Sequence, residues 1–301
     1  MIDCACVKRQ NSACLFAGGL ALTVLAIGFL FPGEPVFHGK RLNAWVADLH
    51  PRVGEARQQE AEVALRAIGS NAVPYLLELL QRREPRLLRE LREFSQRTKT
   101  FLRMDSELEL PWVAAVERDL QLSAAFAALG PSARPALPPL TNLLLRPETT
   151  AVAACALARI GPEAFGPLAR ALESPHAEVR AAAAGALGTM TGDHARIIPA
   201  LQKALADGDK SVRINAVIAL GQVAGIKPEA VLDDLIRALR DPSPSVKMFA
   251  ADFLARLGKH ARPAVPELVN VAEGLDRLAS GKAMSALKQI DPETAAKLEA
   301  N

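Results

Sequence analysis

Hydrophobic positions after Leu42 recur with the spacing of amphipathic helices, and a short sequence motif ends each apolar stretch. The motif is Ala, a few residues, Ala or Leu, then Leu or Ile, then Gly. From Gly130 onward its copies lie roughly 27 to 37 residues apart. Because glycine tolerates the positive φ that stops a helix, each copy predicts the end of a first helix. The predicted stops are Gly69, Gly130, Gly161, Gly188, Gly221 and Gly258.

A second apolar stretch follows these glycines, as at 73–80, 198–205 and 265–269, with proline in its first turn. A turn rich in Ser, Asp and Pro then precedes the next first helix. One such hairpin leaves apolar faces open, and stacking on its neighbours buries them. The sequence therefore predicts an all-α fold, an α-solenoid of about six or seven hairpins over residues 55–301.

Turns of the form D/S-P-x-x-x-V-R/K, joined to the A-L-G ends, resemble HEAT repeats, in particular the short HEAT-like repeats first described in phycocyanobilin lyases. The resemblance implies that Arg180, Arg213 and Lys247 form a structural ladder with acidic residues of adjacent turns, such as Asp207 and Asp241. The alternative is that these basic residues form an anion-binding stripe. It also implies that the second helices line a concave binding face. We expect exposed polar side chains there to contact a protein partner, namely Asn142, Arg170, Gln202, Lys203, Asp234, Arg237 and Asn270.

An insertion at about 82–118 interrupts the array and contains a predicted basic amphipathic helix over residues 86–103. This helix either packs on the array as a solvated element or contacts anionic lipid head groups or an acidic partner. The arginines proposed for that contact are Arg82, Arg83, Arg86, Arg89 and Arg92.

Residues 34–49 resemble the lead-in of membrane-tethered bacterial HEAT-repeat proteins, P-x-x-x-G-K-x-L-x-x-W-L, with Val46 in place of the final leucine. Leu42, Trp45, Val46 and Leu49 fall on one helical face. We therefore expect the segment 32–54 to contain a linker and a helix that caps the first repeat.

The N-terminal stretch 13–31 is apolar and free of charge, and its length suits a membrane-spanning helix. Lys8 and Arg9 precede it, so the positive-inside rule predicts a cytoplasmic tail over residues 1–12. The solenoid would then lie on the periplasmic side of the inner membrane. The alternative is a cleaved signal peptide and a secreted protein.

Composition and motifs argue against catalysis and against nucleic acid. The formal net charge is only +3 and aromatic residues make up 4% of the chain. None of the five histidines precedes glutamate, as the di-iron site of deoxyhypusine hydroxylase requires, and one tyrosine and two tryptophans make a poor bilin pocket. No phosphate-binding loop or nucleophile elbow occurs.

We therefore predict no catalytic residue, cofactor or metal, and a non-enzymatic scaffold for protein–protein interaction at the cell envelope. The alternatives are a HEAT-like enzyme or chaperone of the phycobilin lyase or deoxyhypusine hydroxylase type, or a module that binds the membrane surface. Cys155 lies in an Ala-rich helix, where we expect a small buried side chain.

Overall fold

The computed structural model describes residues 34–50, 53–81 and 113–300, and over these ranges the chain is a succession of helices. The predicted all-α solenoid is confirmed. Within the described ranges, strands occur only at Val36–Phe37 (β1) and Lys40–Arg41 (β2), which pair antiparallel. This short hairpin, which was not predicted, leads into α1 (Leu42–Ala47).

Seven helical hairpins follow α1 in the described part of the chain, each made of a first and a second helix. The first helices are α2 (Glu55–Ile68), α4 (Val113–Leu129), α6 (Thr150–Ile160), α8 (Ala177–Thr189), α10 (Lys210–Ala224), α12 (Pro244–Leu257) and α14 (Arg277–Ile290). The second helices are α3 (Val73–Gln81), α5 (Leu137–Leu144), α7 (Phe165–Ala171), α9 (His194–Ala204), α11 (Pro228–Ala238), α13 (Val265–Ala272) and α15 (Pro292–Ala300).

Helix α1 packs on α2 and α4 at the start of the array. Leu42 and Val46 are buried, whereas Trp45 is only half-buried. The indole N–H of Trp45 donates to the carbonyl oxygen of Phe37 at 3.2 Å, and the ammonium of Lys40 lies 3.9 Å from the ring centroid. The aliphatic residues therefore cover the apolar edge of the first hairpins, and the tryptophan fastens α1 to the short β-hairpin.

One leucine in each of six second helices occupies the same place and is fully buried. Burying a leucine side chain stabilises the folded state by about 1.5–3 kcal/mol. This repeated contact gives six of the seven described hairpins the same buried anchor, as expected for a solenoid. The leucines are Leu76, Leu140, Leu168, Leu201, Leu235 and Leu268.

The repeated glycines have two different roles. Four of them have positive φ and follow the last residue of a first helix, as predicted: Gly69, Gly130, Gly161 and Gly258. The prediction that Gly188 and Gly221 end their helices is wrong, because α8 continues to Thr189 and α10 to Ala224. These two glycines allow close helix packing instead, since a Cβ at Gly188 would lie 2.5 Å from the Cα of Ala219.

The expectation that Cys155 is buried is also wrong, because the residue is exposed. Ala151 and Arg159, one turn before and one turn after it in α6, are exposed as well. The thiol therefore lies on the solvent side of the helix, and the neighbouring alanines, Ala154 and Ala156, supply the buried small side chains.

By length and composition, Glu55–Gln81 is the one described stretch that would be able to cross a membrane. It consists of α2 and α3 with a 3-10 turn at Gly69–Ala72 between them, and its apolar residues Leu65 and Leu76 are fully buried. Its hydropathy is accounted for by packing within the first hairpin. The predicted anchor at 13–31 and the arginines of 82–92 lie outside the described residues.

Candidate partner-binding face

The second helices are separated by grooves, which together form what we call the second-helix face (α7, α9, α11 and α13). The groove between α9 and α11 has a volume of about 830 Å³. The groove between α7 and α9 measures about 400 Å³, and a smaller one of about 240 Å³ lies between α11 and α13. Lys203 lines the first two and Arg240 the first and third, so the three grooves adjoin one another.

Five of the seven residues proposed from sequence line these grooves. Gln202, Lys203, Asp234 and Arg237 meet in the α9–α11 groove. Asn270 lines the α11–α13 groove. The other two, Arg170 on α7 and Asn142 on α5, are exposed but line none of the three.

Asp234 is not the exposed side chain that we expected, since only 4% of its surface is accessible. Its carboxylate accepts a hydrogen bond of 2.7 Å from Nε2 of Gln202 on α9 and forms an ion pair with Arg237 on its own helix. A buried carboxylate requires such partners because desolvation of an unpaired charge is costly. Asp234 and Gln202 therefore join α9 to α11, and Arg237 neutralises the buried charge.

Lys203 lines two of the three grooves, is exposed, and makes no ion pair or hydrogen bond within the described residues. Arg240, by contrast, is bound to Glu267, and this hydrogen bond lowers the pKa of the Glu267 carboxyl. The carboxylate of Asp234 is likewise paired. The α9–α11 groove thus presents at least one uncompensated positive charge to a ligand.

Sequence reasoning missed three contributors to this face: Phe165, Arg196 and Arg240. The guanidinium of Arg196 lies 4.1 Å from the ring centroid of Phe165, which places a cation and an aromatic ring in the α7–α9 groove. Phe165 and Arg196 stand in the first turns of α7 and α9, and Arg240 follows the end of α11. The residues proposed from sequence, by contrast, all lie in the second half of their helices.

The predicted ladder is confirmed at two rungs. The Nε and Nη2 atoms of Arg180 donate to the two carboxylate oxygens of Asp207, both at 2.8 Å, and Arg213 binds Asp241 in the same way at 2.8 and 3.2 Å. The hydrogen bond from Arg180 lowers the pKa of Asp207. Lys247, the third predicted member, makes no ion pair within the described part of the chain.

No group of three or more His, Cys, Asp or Glu side chains that would hold a metal ion occurs among residues 34–50, 53–81 and 113–300. The polar groups of the second-helix face are instead amides, mostly paired carboxylates, and cations. Such a surface can donate hydrogen bonds to a bound polypeptide and can attract its negatively charged groups.

A family model of HEAT repeats matches residues 137–207 and 198–288, which together make up half of the chain. No curated protein matches the sequence. Solved structures do resemble it. The karyopherin Kap121p bound to the extreme C-terminus of the protein phosphatase Cdc14p is 16% identical, with a TM-score of 0.53. The alignment covers 86% of this chain and 31% of the karyopherin.

Kap121p bound to Pho4p gives the same identity, coverage and TM-score. This chain thus spans about a third of the karyopherin. A computationally designed armadillo repeat protein for modular peptide recognition is 20% identical, with 83% of this chain and 100% of that one covered and a TM-score of 0.40. The karyopherin structures support the solenoid fold.

Proposed function

This chain belongs to the HEAT-repeat family, and from that premise we propose that it is a non-catalytic scaffold that holds a segment of a partner protein on its second-helix face. Solenoids of HEAT and armadillo repeats commonly act as protein-interaction scaffolds. The observation that carries the proposal is the run of three adjoining grooves, in which Lys203 projects without an ionic partner in the described residues.

The dimensions and the chemistry of the grooves favour a protein segment as the ligand. An extended chain bound along adjoining grooves would meet successive helices, and each contact would add to its affinity. The α9–α11 groove is lined by both apolar and charged residues, including Pro199, Ala238, Lys203 and Arg237. The karyopherin of similar fold is itself solved with the terminus of another protein bound.

Site-specific photocrosslinking tests the proposal in the native cell. A photoreactive amino acid replaces Lys203 in one variant and Lys210 in another; both lysines are exposed, but Lys210 begins a first helix and lines none of the three grooves. We expect a discrete protein adduct from position 203 and none of the same mass from position 210.

The crosslinked protein, once identified by mass spectrometry, is purified and its affinity is measured directly. Lys203→Glu is expected to weaken binding by about tenfold or more, because charge reversal replaces attraction with repulsion. Lys210→Glu is the matched control and should leave the affinity unchanged. Equal adducts from both positions, or an unchanged affinity of Lys203→Glu, would mean that another surface binds the partner.

We further propose that residues 13–31 tether the solenoid to the inner membrane, with the repeats on the periplasmic side. The support is the charge-free apolar stretch that follows Lys8 and Arg9. A reporter fused after Asn301 that functions only outside the cytoplasm should be active and should sediment with membranes. Activity of a cytoplasm-only reporter would contradict the orientation, and release of the reporter into the medium would favour the cleaved signal peptide.

A further inference from the structure

The turns that connect one hairpin to the next have the same backbone structure at three consecutive positions. The backbone N–H groups of Asp207, Asp241 and Gly274 donate to the carbonyl oxygens of Ala204, Ala238 and Val271, each at 3.2 Å. Two residues later comes the N-cap of the next first helix, with nearly identical backbone angles: φ −85° and ψ 129° at Asp209, −83° and 120° at Ser243, −83° and 107° at Asp276. Gly274 therefore occupies the place that Asp207 and Asp241 hold in the ladder.

Each complete rung has the same set of donors around its carboxylate. Asp207 accepts from Arg180 and from the backbone N–H of Asp209 at 2.8 Å. Asp241 accepts from Arg213 and from the backbone N–H of Ser243 at 2.7 Å. A rung is thus a carboxylate held between the cation of the preceding first helix and the N-cap amide of the next one.

The third rung has both donors but lacks the carboxylate. Lys247 follows Val246 in α12 as Arg213 follows Val212 in α10. Neither the ammonium of Lys247 nor the backbone N–H of Asp276 has a hydrogen-bond partner in the described residues. The two carboxylates that line the same cavity are already engaged, since Glu267 binds Arg240 and Asp276 caps the first turn of α14.

Exposed apolar side chains lie beside the charged groups of this incomplete rung. Lys247, Gly274 and Asp276 line the cavity of about 240 Å³ between α11 and α13, together with Leu275. Leu275 is fully exposed, and Leu278 in the first turn of α14 is 71% exposed. At the place of Leu275 the two complete rungs have Gly208 and Pro242. Compared with the two preceding turns, this turn therefore lacks the acidic residue of the rung and has an exposed apolar side chain in addition.

We propose that the turn Gly274–Leu275–Asp276 is a second protein-binding site, which takes an aspartate or glutamate side chain of a partner flanked by an apolar residue. The partner's carboxylate replaces the missing acid of the rung and binds Lys247 and the Asp276 amide. Its apolar neighbour covers Leu275 and Leu278. The positive charge of Lys247 selects the acidic group. The site lies in the α11–α13 groove, at one end of the second-helix face, and does not include Lys203.

A double-mutant cycle tests whether the turn at Gly274 has the geometry of a complete rung. Gly274→Asp should complete the rung within the chain and raise the melting temperature by about 2–4 °C. A Cβ at Gly274 would lie 3.1 Å from the carbonyl oxygen of Val271, so the backbone must shift by a few tenths of an ångström to admit the aspartate. In Lys247→Met the same substitution at Gly274 should give a clearly smaller gain. Equal shifts in both backgrounds, or no gain in either, would overturn the inferred geometry.

Selection from a phage-displayed library of random heptapeptides tests the ligand. On the unmodified protein we expect enrichment of peptides with an acidic residue next to an apolar one. Synthetic copies of the selected peptides, acetylated and amidated so that only side-chain carboxylates are present, should lose about tenfold or more in affinity for Lys247→Met and for Gly274→Asp.

Replacement of the acidic residue by its amide should have the same effect on the affinity of these peptides. Their affinity for Lys203→Glu should be unchanged, so that failure of the groove proposal and failure of this one give different results. Selection of peptides without acidic residues, or full affinity for Gly274→Asp, would overturn the inference.

Discussion

At the scale of single residues, glycine shows how one residue type serves two physical requirements in this chain. After α2, α4, α6 and α12 it adopts a positive φ that ends the helix. Within α8 and α10 it has no side chain where the next first helix approaches most closely, at Ala219 and at Phe253. The two roles lead to different expectations for the same substitution.

Gly188→Ala should destabilise the protein, because the added methyl group would overlap the backbone of Ala219 and force α8 and α10 apart. Overpacking of this kind costs about 1–3 kcal/mol. The matched control is Gly281→Ala in α14, where nothing lies within 4 Å of the added Cβ, so the gain in helix propensity of about 1 kcal/mol should stabilise the chain. Thermal denaturation measures both, and shifts of the same sign would contradict the packing role.

Asp207 makes the stability of the array depend on pH. Its hydrogen bond with Arg180 lowers the pKa of Asp207 in the folded state below that of the unfolded chain, which is about 3.9. The ion pair therefore stabilises the fold fully above that value, and this contribution is lost as the pH falls through the folded-state pKa. Asp207→Asn should lower the melting temperature near neutral pH, and its difference from the unmodified protein should shrink towards about pH 3.

The control for this experiment is Asp233→Asn, which alters an exposed carboxylate on α11 that has no ion pair in the described residues. Its melting temperature should follow that of the unmodified protein at every pH. A difference between Asp207→Asn and the unmodified protein that stays constant from about pH 7 to about pH 3 would mean that the rung does not titrate as inferred.

At the scale of secondary-structure elements, the hairpins are joined by two kinds of contact that the sequence reveals to different degrees. Buried leucines and alanines recur at helical spacing, so the helices and their order were predictable. The bridge from Gln202 to Asp234 was not, because a buried aspartate in a second helix looks like an exposed one until its neighbour is known. The helix-packing role of Gly188 was hidden for the same reason, since the clash comes from another helix.

Arg213 joins the two turns on either side of its own hairpin, because it binds Asp241 of the next turn and also donates to the carbonyl oxygen of Asp207 in the preceding one at 2.9 Å. Both charged side chains are largely buried, with 13% and 10% exposure. Arg213→Ala should therefore lower stability by about 1–3 kcal/mol, through lost charged hydrogen bonds and an unpaired carboxylate. Its effect on partner binding at Lys203 should be small.

Arg66→Ala is the comparison for Arg213→Ala, because it removes an ion pair with Glu62 whose side chains are 61% and 47% exposed. Such a pair contributes only about 0.3–0.5 kcal/mol. The melting temperatures and partner affinities of both variants show whether the ladder contributes to stability or to binding. If Arg213→Ala melted like Arg66→Ala, or lost binding without losing stability, the ladder would belong to the binding face and not to the scaffold.

At the scale of the whole molecule, repetition made the fold predictable and left the binding site only partly so. Six of the seven described hairpins bury a leucine at the same place in the second helix, which is why the solenoid could be predicted without any knowledge of loop structure. Binding depends on departures from the repeat, such as Phe165 beside Arg196, or Gly274 where an aspartate is expected. These departures gain meaning only when the structure shows which groups they face.

In a stack whose hairpins contact mainly their neighbours, a destabilising substitution should affect only the nearby hairpins. Leu287 in α14 is fully buried, and Leu287→Ala should cost about 2–5 kcal/mol. Because stability in such arrays is roughly a sum of hairpin and nearest-neighbour terms, amide hydrogen exchange should accelerate in α12 to α15 and stay unchanged in α4 to α7. Leu157→Ala in α6, an equally buried leucine, should give the opposite pattern. Equal acceleration along the chain in both variants would show a single cooperative unit. The binding sites proposed at Lys203 and at Gly274 would then be expected to affect each other.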